Sequence, residues 1–192
     1  MKTMMCFLRM KCLSMRALLL TVGILFCGHT FAIDFEKDGV YYSGNPSEGT
    51  AVVVAPPNSE KYSGSIVIPW LFLYDGQYIV VSGIADNAFQ GATGLTSIKL
   101  PMVDLVPFSI GDLAFNDCTG LTSFTIPANV THIGEKAFYF CDKLKDLYVC
   151  TSDPSTLEIG ADAFSNINRG GNVCTLHVPV GAKAAYEAHA VF

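Results

Sequence analysis

Four times this chain writes the same phrase: Ile-x-x-x-Ala-Phe, a loop, then an apolar-x-x-apolar-x-apolar strand. The Ala-Phe pairs fall at Ala88-Phe89, Ala114-Phe115, Ala137-Phe138 and Ala163-Phe164, each five residues after its leading isoleucine, Ile84, Ile110, Ile133 or Ile159. A unit of 23 to 26 residues is too short to bury its own apolar face, so a recurring one must bury it against its neighbours. That arrangement is a solenoid, and it places equivalent residues in columns. Phe89, Phe115, Phe138 and Phe164 are predicted to form one buried column.

Unit two shows how a unit folds. Ile110, Ala114, Phe115, Cys118 and Leu121 recur at three-to-four spacing, which predicts a short helical stretch. The period then drops to two across Leu121-Thr-Ser-Phe124-Thr-Ile126, a strand with Phe124 and Ile126 inward, and Pro127 ends it. The other strands are Leu95-Ile98-Leu100, Leu144-Leu147-Val149 and Val173-Leu176-Val178. Units one and three carry extra residues after their strands, and unit four before its strand, around Asn168–Asn172. The expected class is a mixed α/β solenoid of short parallel strands and short helical turns.

Ile110-Gly111…Ala114-Phe115…Cys118…Leu121…Phe124…Ile126-Pro127 resembles the BspA-like leucine-rich repeats of bacterial surface proteins at each fixed position. The pattern departs at Ala85, where Gly is usual, and at Cys150, where Pro is; unit four lacks the Cys. Asp34-Phe35 through Ile68-Pro69 is similar to the family's N-terminal cap, and Val178 through Tyr186 to its closing helix. The resemblance implies a right-handed leucine-rich repeat with a β-rich N-terminal cap and a short C-terminal helix. It implies surface adhesion or protein binding and no catalytic activity. The expected organisation is 1–32 signal peptide, 33–81 cap with hairpin, 82–179 four repeat units and 180–192 capping helix.

The leader reading rests on Lys2, Arg9, Lys11 and Arg16 ahead of the apolar run Ala17–Phe26, with small residues at Thr30 and Ala32. Met15 would open a shorter leader, and Phe26 stands where lipidation at Cys27 needs a small residue. Export to the cell surface, the surroundings or the periplasm follows, with no membrane span after cleavage. Four of the twelve bases lie in the leader and all seventeen acids follow it, so residues 33–192 carry a net charge of about −9. That balance argues against nucleic acid as a partner. Cys118 and Cys141, each three residues after its Phe, are expected as buried free thiols, and Cys150 and Cys174 lie too far apart in register to bridge.

His132, His177 and His189 lack the spacing of a metal site, no Cys-x-x-Cys or Gly-x-Ser-x-Gly occurs, and no cofactor motif is present. Asn129-Val130-Thr131 is a glycosylation sequon. Asp86, Asp112 and Glu135 share one position, where favourable charge at helix N-termini explains them.

What remains is a binding surface. The concave strand face presents Ser97 and Lys99, Ser123 and Thr125, Asp146 and Tyr148, Thr175 and His177. Trp70-Leu-Phe-Leu-Tyr74 and Gln77–Val81 form a hairpin around Asp75-Gly76, apolar on both faces; either residues 34–60 cover it or it is an exposed patch. The candidate ligand-binding residues are Lys99, Asp146, Tyr148 and His177, with Trp70 at the rim. The expected molecule is a non-catalytic, monomeric module that binds a host or bacterial surface protein or a glycan. The alternative is a structural stalk, or a piece of a longer surface repeat protein.

Overall fold

The computed structural model describes residues 33–45, 48–167 and 173–189. The leader, the unit-four insertion at Asn168–Asn172 and the last three residues lie outside that set. The described chain opens with an antiparallel meander of β1 (Ile33–Lys37), β2 (Val40–Asn45) and β3 (Thr50–Val53). Next come β4 (Gly64–Val67) and a hairpin of β5 (Leu71–Tyr74) and β6 (Gln77–Ile84). Its turn residues Asp75 and Gly76 both have positive φ, 47° and 79°, as the Asp-Gly signal predicts for a two-residue turn whose twist matches the strands.

From β6 onward each unit supplies two strands rather than one. One set is β8 (Phe108–Ile110), β10 (Val130–Ile133) and β12 (Glu158–Ile159), which pair in parallel and continue from β3 and β6. The other is β7 (Leu95–Lys99), β9 (Ser123–Ile126), β11 (Asp146–Val149) and β13 (Thr175–His177). Here β9, β11 and β13 form one parallel ladder and β4 pairs with β7. Register follows the phrase: Leu147 faces Phe124 and Leu176, and Ile133 faces Ile110 and Ile159. The units therefore stack with equivalent residues adjacent. The leading isoleucine of each phrase closes a strand, which its place before Ala-Phe conceals in the sequence.

Among the described residues, the short helical turns expected between isoleucine and strand are absent. The chain there makes consecutive tight turns in which two positions per unit are left-handed. Asn87, Leu113, Lys136 and Asp162 occupy the position two before the phenylalanine; Gly91, Asp117, Phe140 and Asn166 the position two after it. The reversals aim alternate amides along the stack. Asn87, Phe89 and Gly91 donate to the carbonyls of Asp112, Ala114 and Asn116, and Leu113, Phe115 and Asp117 to those of Glu135, Ala137 and Tyr139. The amides between them close turns within the unit, such as Gln90 to the Asn87 carbonyl at 3.0 Å. Burying every third or fourth residue thus imitates a helix, but alternate amides bond between units. Phenylalanine at the left-handed position 140 pays a steric penalty that Gly91, Asp117 and Asn166 avoid or reduce.

The ring column forms. Phe89, Phe115 and Phe138 are buried and stack at 5.0 and 5.1 Å, nearly parallel, and Phe164 stacks on Phe138 at 5.3 Å. Phe164, the last ring of the column, is only half-buried. Val173 departs from its expected inward place: it is 77% exposed. At the other end Tyr62 adds a ring at 4.6 Å from Phe89, and its hydroxyl donates to the Val54 carbonyl while accepting the Tyr41 amide.

Cys118 and Cys141 are fully buried free thiols, and each donates from Sγ to the carbonyl of the preceding unit's phenylalanine, Phe89 at 3.1 Å and Phe115 at 3.2 Å. Burial pushes the Cys118 thiol up to about 12 and raises that of Cys141 further, which removes the reactive thiolate at neutral pH. With a maleimide and peptide mapping, Cys118 and Cys141 are expected to stay unlabelled until denaturant is added, while exposed Cys150 is labelled at once. Labelling of Cys118 at the native-state rate of Cys150 would contradict this packing.

Candidate binding face

Alternation along three parallel strands builds the site. Phe124 and Ile126, Leu147 and Val149, and Leu176 and Val178 point inward, so Ser123 and Thr125, Asp146 and Tyr148, and Thr175 and His177 must point outward. Register then puts Tyr148 between Thr125 and His177. The Tyr148 and His177 rings lie 4.3 Å apart with their planes 11° from parallel. Asp146 Oδ1 lies 2.8 Å from His177 Nε2, and a neutral imidazole there carries its proton on Nε2. Three of the five candidate residues thus form one unit: a carboxylate orients an imidazole, and the imidazole supports a phenol ring that stays 41% exposed.

Lys99 lies on the same face at the position equivalent to Thr125, on β7, beyond β9. Trp70 lies between β4 and β5, where its carbonyl accepts the Val81 amide at 3.0 Å. It is 41% exposed and belongs to the hairpin, not to the strand face. A cleft of about 540 Å³ adjoins His177 at the last strand, walled by Val178, Pro179, Lys183, Tyr186 and Glu187, where α1 (Lys183–Glu187) folds back. Tyr186 anchors that helix by donating to the Thr151 carbonyl at 2.9 Å. The cleft was not legible in the sequence, because it depends on how the chain turns after β13.

Three other sequence features acquire definite roles. The acidic column does not sit at helix N-termini. Asp86 accepts the Asp112 amide at 2.8 Å and Asp112 the Glu135 amide at 2.7 Å, so these carboxylates stitch successive units. Asn129 of the sequon is buried, and its amide donates to the Val106 carbonyl at 3.2 Å; its side chain braces the unit-one insertion. The apolar hairpin divides by face: Phe72 and Tyr74 pack on Phe35 and Tyr42, while Leu73 and its cross-strand partner Tyr78 remain 56% and 69% exposed.

Comparison with known proteins agrees with this geometry. Residues 80–174 match the BspA type leucine-rich repeat region in six copies, two more than the phrases legible by eye. No curated protein matches the chain. A leucine-rich repeat protein from Bacteroides capillosus superposes with a TM-score of 0.59 at 26% identity, over 76% of this chain and 98% of its own. One from Bacteroides ovatus gives 0.56 at 29% identity, over 76% of this chain and 37% of its own. A leucine-rich cell surface protein from Faecalibacterium prausnitzii gives 0.52 at 25% identity, over 77% and 43%. This chain thus spans nearly all of the first structure and less than half of the other two. No helix among the described residues is long and apolar enough to cross a membrane.

Proposed function

We propose that this chain, whose residues 80–174 match the BspA type leucine-rich repeat region, is an exported, non-catalytic binding module. The units form a right-handed solenoid between the N-terminal meander as a cap and α1 as a closing helix. Cleavage after Ala32 releases a chain that stands at or beyond the cell surface and takes a protein or glycan ligand on the face of β9, β11 and β13. One observation carries the reading. The Tyr148–His177–Asp146 cluster occupies outward positions that the core does not need, yet it is oriented by stacking and a hydrogen bond. Preorganised, half-exposed aromatics beside polar groups are the usual anchors of an interface. A stalk role within a longer assembly is the second reading, favoured by the partial spans of the Bacteroides ovatus and Faecalibacterium structures.

The test is a screen of the protein against host-protein and glycan panels, followed by Tyr148→Ala on whatever binds. The variant is expected to weaken binding by about 1–3 kcal/mol. Undiminished binding by Tyr148→Ala would move the site off this face, and undiminished binding by Trp70→Ala as well would exclude the hairpin.

A further inference from the structure

Lys99, Thr125 and Tyr148 occupy equivalent places on β7, β9 and β11, and the middle one is short. Thr125 lies low between a long base and a ring, so the row has a slot over β9. β9 and β11 are laddered at about 4.8 Å, and β7 lies beside β9 without a ladder between them. One wall is the face of Tyr148 turned away from His177; the stack on His177 holds that ring upright. The other is exposed Lys99. The floor holds hydroxyls, from Thr125 and from Ser123, whose register partner is Asp146. No ladder joins β7 to β9 among the described residues, so the floor is also where the strand face is least closed.

We propose that this slot binds the ring of a carboxylated sugar, an inference that rests on the binding-face reading above. The floor offers no apolar pocket of the kind that buries a protein hot-spot side chain, which disfavours a peptide anchor there. It offers what a pyranose uses: an aromatic face for the ring's C–H side, and hydroxyls and a carboxylate for its hydroxyls. The ligand's charge is set by exposed Lys99 at the slot, a base in a region, residues 33–192, that holds eight bases against seventeen acids. Lys99 reaches over the ring to pair with its carboxylate.

Uronic and sialic acids share this chemistry, and calorimetry separates them. Short oligogalacturonates are compared with their methyl esters, and sialyllactose with lactose. The acid of at least one pair is expected to bind about tenfold more tightly than its neutral counterpart. Lys99→Gln should abolish that preference. Tyr148→Ala should weaken the acid about tenfold or more, and Tyr148→Phe should retain it. Equal binding of acid and neutral forms, or acid binding indifferent to Tyr148→Ala, overturns the proposal. If neither acid binds while a protein ligand does so through Tyr148, the sugar inference falls and the binding face stands. A ligand indifferent to every substitution on this face removes both.

Discussion

Phe115→Ala is expected to cost about 3–5 kcal/mol, the range for emptying a fully buried ring site. The ring has no exposed surface and lies between Phe89 and Phe138 with Phe124 against its edge at 5.1 Å. Its removal costs the transfer energy of the side chain and leaves a void walled by three rings. The neighbours cannot collapse into that void. The backbone at Phe115 is tied to the next unit through the Ala137 carbonyl at 2.7 Å, and its own carbonyl accepts the Cys141 thiol. The denaturant midpoint should fall with an unchanged slope. Phe164→Ala, at the half-buried end of the same column, should lose clearly less. Equal losses at the two positions would mean that burial in the stack does not set the energy.

Gly134→Ala should be comparably severe for the opposite reason. A Cβ at 134 would lie 2.4 Å from Asp112 Oδ1, 2.5 Å from the Asp112 amide nitrogen and 2.5 Å from the Gly111 carbonyl carbon. Two of these are backbone atoms that cannot swing aside. The units would have to part where the Gly134 amide donates to Ile110 at 2.8 Å and the Glu135 amide to Asp112 at 2.7 Å. Overpacking with two hydrogen bonds disturbed should cost about 3 kcal/mol, read as a lower thermal midpoint. Ala85→Gly is the control. Ala85 occupies the same position two units earlier, where it meets β3, donates to the Val53 carbonyl at 2.8 Å and accommodates its Cβ. Its loss should not exceed about 1 kcal/mol, the ordinary entropic cost of a glycine. The departure from the family phrase at Ala85 is thereby explained: only a position stacked on another repeat unit requires the missing Cβ.

These two positions show what the sequence can and cannot reveal. Spacing alone placed Phe115 in a column and Leu147 opposite its equivalents, because periodicity reports burial directly. It also aimed Tyr148 outward, since period two leaves a strand residue only two faces. It misread the segment from Ile110 to Leu121, because burial every three to four residues is shared by a helix and by turns with alternating left-handed residues. Only the hydrogen-bond partners distinguish them, and here those lie 22 to 25 residues away in sequence, as from Leu113 to Glu135 or Phe89 to Ala114. Left-handed residues such as Asn87, Asp117 and Asn166 were a usable clue to turns, and Leu113, Lys136 and Phe140 masked it. The same limit applies to the site. Membership of the face follows from alternation, but the hydrogen bond from His177 to Asp146 and the cleft beside it depend on side-chain rotation and on the path after β13.

The central claim is that outward strand residues serve a ligand while the inward columns hold the fold. Thermal unfolding of Tyr148→Ala beside Phe115→Ala tests it without any knowledge of the ligand. The account predicts a Tyr148→Ala midpoint close to that of the parent protein, within about 0.5 kcal/mol as for an ordinary surface change, against a large drop for Phe115→Ala. A Tyr148→Ala loss approaching that of Phe115→Ala would contradict it, because the Tyr148–His177 stack would then be part of what holds the repeats together.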